Sequence, residues 1–113
     1  MSIVIWHNPR CSKSRQTLAL LQENGVSPDI RLYLENPPTQ AELARALDAL
    51  GMVPSQLLRK GETEYKALGL KTASEDQCLS AMVAHPRLIE RPIVLNGEKA
   101  ALGRPPENCL EVI

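Results

Sequence analysis

Phenylalanine is missing from this chain, and aromatic residues together make up 3% of its 113 positions. A core built from it must rest on Leu, Val, Ile, Ala and Met rather than on large rings. Net charge is missing as well, because 13 Lys and Arg balance 13 Asp and Glu. Without a basic excess, neither nucleic acid nor a membrane surface is an expected partner. No apolar run approaches the ~20 residues that a membrane span requires. The first residues enter strand-like sequence directly, with no basic segment followed by an apolar stretch, so the expected compartment is the cytoplasm. The cysteines are Cys11, Cys78 and Cys109, with no C-x-x-C pair and only two histidines. That set is neither a disulfide framework nor a zinc site, and no metal or bound organic cofactor is expected. In a reducing compartment all of them are free thiols, and the question becomes which is reactive.

What is present reads as one globular domain over 1–113, with 43% hydrophobic and 23% charged residues. Ile3-Val4-Ile5-Trp6 has the form of a buried strand, and Asn8-Pro9 marks a loop after it. A helical pattern runs from about Ser12 to Asn24, with Leu18, Leu21 and Ala19 or Leu20 as its apolar stripe and Gly25 as its stop. Ile30, Leu32 and Leu34 alternate with polar neighbours and predict a second strand, completing a βαβ unit.

Asn36-Pro37-Pro38 closes that unit. Thr39-Gln40-Ala41-Glu42 and Ser74-Glu75-Asp76-Gln77 have capping-box form and open helices, with glycine-broken short helices between them. The second of these helices should stop before Pro86, with His85 at its end. Pro92 to Leu95 is strand-like, Asn96-Gly97 signals a hairpin turn, and Ala100-Ala101-Leu102 is the return strand. Pro105-Pro106 suits a last helix, with Leu110 and Ile113 as its apolar face. The order βαβ, helical block, ββα predicts an α/β thioredoxin-like fold. Its mixed four-stranded sheet would carry a helical insertion at about 39–89.

Cys11 follows a strand and opens a helix. Unpaired backbone N–H groups and the helix dipole stabilise a thiolate there. Arg10, Lys13 and Arg15 add positive charge, and His7 lies one short loop away. Ser12 and Ser14 bring hydroxyls and N–H groups suited to an oxyanion. Cys78, Cys109 and Trp6 read as core residues. Cys11 to Ser14 is C-x-x-S, so no resolving partner sits where dithiol oxidoreductases keep one. Cys11 and Arg15 are too close for the phosphate loop of tyrosine phosphatases. A thiol of this kind passes its oxidation to another molecule, and glutathione is the abundant candidate. Arg91 and Arg104 each precede a proline at a loop end, and guanidinium forks suit tetrahedral oxyanions.

The run His7-Asn8-Pro9-Arg10-Cys11-Ser12-Lys13-Ser14-Arg15 resembles the catalytic segment of the ArsC family of glutaredoxin-coupled arsenate reductases, in its YfgD-like branch. Tyr33 to Pro38, Leu57 to Lys60, Glu90 to Val94 and Gly103 to Glu107 follow in the same order and spacing, so the resemblance covers essentially the whole chain. It implies that Cys11 attacks arsenate while Arg59, Arg91 and Arg104 hold the anion. His7 would assist thiol activation, and Pro92 would be the cis-proline of thioredoxin-like folds. It also implies glutathione as reductant and glutaredoxin as partner. Ser12-Lys13 stands where plasmid-type members carry Gly-Thr, which adds a cation favouring the thiolate. Two rival readings remain open on the residues alone. One is a thiol acting on another oxyanion or on glutathionylated proteins. The other is a regulatory protein-binding module of the same fold.

Overall fold

The computed structural model describes residues 2–113, which divide into two compact units, 2–36 with 91–113 and 37–90. In the first unit, β1 (Ile3–Trp6) leads through a loop to α1 (Ser12–Glu23) and then β2 (Asp29–Arg31). β3 (Ile93–Asn96), β4 (Lys99–Leu102) and a 3-10 helix over Pro106–Glu111 complete it. The sheet order is β2-β1-β3-β4. β1 pairs parallel with β2 and antiparallel with β3, and β3 pairs antiparallel with β4. Ile5 faces Ile30 on one side and Val94 on the other. This is the mixed four-stranded sheet of a thioredoxin-like α/β fold. Its core gathers Ile5, Leu21, Val94, Ala101, Cys109 and Val112, all nearly inaccessible, so aliphatic side chains do carry the packing.

Local departures from the sequence expectation have physical causes. β2 ends at Arg31 instead of running through Leu34, because the chain turns: the N–H groups of Glu35 and Asn36 donate to the Leu32 carbonyl at 3.0 and 2.9 Å. The turn inverts the expected pattern, burying Tyr33 and leaving Ile30 and Leu34 exposed. In α1 the fully buried face is Ser14, Thr17 and Leu21 rather than an all-leucine stripe, with Leu18 and Leu20 packed at the margin. The hairpin loop is Gly97-Glu98, since Asn96 still pairs with Lys99. Gly97 takes φ 61° at the first loop position, where a type II′ turn requires glycine.

The closing helix is 3-10, with Asn108 N–H donating to Pro105 O and Val112 N–H to Cys109 O. Three residues per turn stack Pro106, Cys109 and Val112 on the inner face. Leu110 and Ile113, expected inside, are therefore 39% and 43% exposed.

The second unit is helical: α2 (Gln40–Leu50), α3 (Pro54–Leu57), α4 (Thr63–Ala67) and α5 (Glu75–Ala84), with 3-10 turns at Leu70–Thr72 and Pro86–Leu88. Both capping boxes form. The Glu42 N–H donates to Thr39 Oγ1 at 3.1 Å and the Gln77 N–H to Ser74 Oγ at 3.2 Å, with the reciprocal bonds at 2.9 Å. α5 ends at His85, just before Pro86. α2 and α3 pack on α5, and Leu43, Leu47, Leu57, Cys78 and Met82 are buried. No helix of the described residues is long and apolar enough to cross a membrane.

Candidate active site

The loop between β1 and α1 is shaped by short-range bonds. His7 N–H donates to Arg31 O at 2.8 Å, which fastens the loop start to β2. Asn8 caps the next turn: its Oδ1 accepts from Arg10 N–H at 3.0 Å and its carbonyl from Cys11 N–H at 3.0 Å. Cys11 is then the N-cap of α1, with extended backbone, and its carbonyl accepts from Arg15 N–H at 3.0 Å. A residue in that position faces the unpaired N–H groups of the first turn.

Ser14 and Thr17 are fully buried but well bonded. Ser14 Oγ accepts from Asn8 N–H at 3.0 Å and lies 2.6 Å from His7 Nδ1, while Thr17 donates to Lys13 O at 2.8 Å. The Ser14 hydroxyl thus clasps the loop to the helix, and it is the Ser14 N–H that faces the Cys11 sulfur. Gly103 N–H donates to Pro92 O at 2.9 Å. A Cβ on Gly103 would lie 2.5 Å from Thr17 Oγ1 and 2.7 Å from Pro92 Cγ, so the backbone there approaches α1 as only glycine permits.

Beyond that contact, Arg104 reaches the thiol, with its Nη2 3.7 Å from Cys11 Sγ. Its Nε donates to Arg91 O at 2.8 Å, which ties the arginines together. The Arg91 guanidinium also meets the Cys11 sulfur. The Arg91–Pro92 and Arg104–Pro105 peptide bonds are both cis.

The electrostatics follow from these neighbours. Partial burial pushes the Cys11 thiol up, but the Ser14 amide, the Arg91 guanidinium and the Lys13 amide outweigh it, and the net displacement is downward. Burial works against the Arg91 cation, yet contact with Cys11 and Tyr33 more than compensates and raises it. His7 is held below its ordinary value, first by burial and then by the charge of Arg15. Cys78 and Cys109 are pushed up, chiefly by burial.

The sequence-predicted residues therefore separate. Cys11, Arg91, Arg104 and the amides of Lys13 and Ser14 converge on one sulfur. His7 is joined to Ser14. Ser12 and the Lys13 side chain are exposed at the helix start, and Arg15 donates to Pro9 O at 2.9 Å. Arg59 belongs to the second unit, where it pairs with Glu90 at 3.0 Å and Glu62 at 3.4 Å. Sequence reasoning gave no role to Thr17, Gly103 or Tyr33. A glycine directly before Arg104 was the available signal for the close approach. The alternation of Ile30, Leu32 and Leu34 pointed Tyr33 the wrong way.

Residues 6–112 match the ArsC family. The uncharacterized protein YfgD of Escherichia coli is 51% identical, over 98% of this chain and 96% of that protein. The arsenate reductase of Haemophilus influenzae is 46% identical over the full length of both. Among solved structures, the arsenate reductase from Vibrio cholerae superposes with a TM-score of 0.95 at 47% identity, covering 100% of this chain and 98% of that one.

Proposed function

The chain belongs to the ArsC family, and on that premise we propose that it reduces arsenate to arsenite through Cys11, with glutathione as reductant and glutaredoxin as partner. The observation that carries this reading is the single sulfur set against helix-start amides, Arg91 and Arg104. A thiolate so placed is a nucleophile, and the guanidinium forks beside it suit a tetrahedral oxyanion. The relatives named arsenate reductase support the same substrate.

In the reaction, Cys11 thiolate attacks arsenic(V) and water leaves as the sulfur–arsenic bond forms. Arg91 and Arg104 hold the anion and counter its charge, as preorganised donors do in other oxyanion sites. The thiol of glutathione then attacks the Cys11 sulfur of the adduct. The sulfur–arsenic bond breaks, its electron pair stays on arsenic, and arsenite departs. The balance is arsenate plus two thiols giving arsenite, one disulfide and one water. The mixed disulfide between Cys11 and glutathione is returned to the thiol by glutaredoxin, because the chain has no C-x-x-C partner for Cys11. The expected compartment is the cytoplasm, where glutathione keeps thiols reduced.

The test is a coupled assay with arsenate, glutathione, glutaredoxin, and glutathione reductase oxidising NADPH. Arsenate-dependent NADPH consumption that disappears in Cys11→Ser supports the proposal. Wild-type protein that is inert with arsenate but deglutathionylates a peptide would replace it.

A further inference from the structure

Ser14 lies on the first turn of α1 with none of its surface exposed, so the polar atoms of its side chain need partners inside the protein. Its Oγ has two. The Asn8 N–H donates to it at 3.0 Å, and His7 Nδ1 lies 2.6 Å away. Helical serine and threonine often donate to the carbonyl four residues back, as Thr17 does to Lys13 O at 2.8 Å. Ser14 makes no such bond to Arg10 O among the described residues. An amide N–H can only donate, so the Asn8 contact uses a lone pair of the oxygen. The hydroxyl hydrogen is left with one acceptor, and that is His7 Nδ1. If Nδ1 carried the ring proton instead, Oγ would accept twice and its own hydrogen would be buried unpaired. That penalty favours the first arrangement by about tenfold or more.

We propose that Ser14 is a positioning residue: its hydroxyl donates to Nδ1, fixes His7 as the neutral Nε2–H tautomer, and makes that ring an anchor of the Cys11 loop rather than a base for its thiol. In this tautomer the Nδ1 lone pair is taken by Ser14, and Nε2 carries a hydrogen and has no lone pair to offer. Neither nitrogen can accept the Cys11 proton while the bond to Ser14 holds. The thiolate then depends on geometry at the helix start, where Ser14 turns its N–H to the sulfur and its hydroxyl to the loop. One side chain thereby ties both His7 and Asn8 to the turn that carries Cys11. The His7 N–H fastens the same loop to Arg31 O on β2. The surroundings of the ring agree with a neutral imidazole, since burial and the charge of Arg15 on α1 both oppose a second proton there. The inference concerns the free enzyme, and it stands whether the oxyanion is arsenate or another.

Nitrogen-15 spectra of the histidine rings in the full-length wild-type protein read the tautomer directly. His7→Gln identifies which signals belong to His7, the other histidine being His85. At about pH 7.5, above the ordinary histidine range, His7 should show a bare, hydrogen-bonded Nδ1 and a protonated Nε2. A protonated Nδ1 would overturn the proposal, and this measurement needs no Ser14 variant to fold. In Ser14→Ala the preference should be lost, with the Nδ1–H form populated about tenfold more than in the wild type. Loss of packing alone would leave the tautomer where it was. Iodoacetamide alkylation against pH, with Cys78 and Cys109 replaced by Ala, follows the thiolate of Cys11. In Ser14→Ala that profile should move to higher pH, and alkylation well below the midpoint should slow about threefold. An unchanged tautomer or an unmoved alkylation profile in Ser14→Ala would equally overturn the proposal and leave Ser14 a packing residue.

Discussion

The arginines flanking Cys11 illustrate how much a single side chain contributes at this site. Arg104 holds its place by donating to Arg91 O and extends another nitrogen to Cys11 Sγ, while Arg91 meets the sulfur directly. Arg91→Ala and Arg104→Ala should each lower arsenate turnover by about 10²–10³, the usual cost of one lost oxyanion donor. Thermal melts should change little, because both side chains serve the site. Wild-type turnover in either variant would remove that arginine from the mechanism. His7 makes a different prediction. Burial, then Arg15, hold its pKa below the ordinary 6.5, so the folded protein favours neutral imidazole and the unfolded chain takes the proton more readily. Stability from this group is fully present above 6.5 and is lost as pH falls through the lower folded value. The urea midpoint of the wild type should therefore fall more steeply with acid than that of His7→Gln. Parallel slopes would show that His7 is not the group responsible.

At the scale of elements, the decisive contact is between the start of α1 and the loop after β4. Gly103 backbone packs against Thr17 and Pro92 with no room for a methyl group. Gly103→Ala should cost about 1–3 kcal/mol, the range for overpacking a tight interior. It should also slow turnover, because the loop that moves carries Arg104. Chemical denaturation and the coupled assay together check this, and an unchanged midpoint would mean that Thr17 and Pro92 yield without cost. In the helical unit the caps are the comparable elements. Thr39→Ala and Ser74→Ala each remove a capping hydroxyl, and each should lower stability by about 1 kcal/mol in urea unfolding. These boxes, Gly25 after α1 and the proline after α5 were legible in the sequence because each is a bond or a conformation within a few residues of the helix end. The 3-10 closing helix was not, since a pattern of apolar residues three apart fits its inner face and its outer face equally well.

For the whole molecule, the thiols are sorted by environment rather than by type. Cys11 is half-buried at a helix start among cations, whereas Cys78 and Cys109 are buried and their thiols are pushed up. Limiting iodoacetamide at about pH 6.5 should label Cys11 first, because alkylation follows thiolate fraction and access. Replacing Cys78 and Cys109 by Ala should leave most of the activity. Peptide mass mapping that finds Cys78 or Cys109 labelled ahead of Cys11, or an obligatory disulfide to Cys11 during turnover, would refute the single-thiol mechanism.

The sequence by itself determined that Cys11 opens a helix, where amides one turn away favour a thiolate. It also determined the sheet's composition and the division into βαβ, helical block and ββα, because hydrophobic period, caps and turn residues act over short range. Only the tertiary structure decided what stands beside that cysteine. Arg91 and Arg104 lie about eighty and ninety positions downstream, and what brings them to one sulfur is the pairing of β3 with β1 and the close approach of Gly103 to Thr17. Tyr33 followed the same rule. Its local alternation pointed it outward, and a turn closed by backbone bonds to Leu32 turned it inward. Local chemistry is written in neighbouring residues. Convergence of distant side chains depends on packing, which no short stretch of sequence contains.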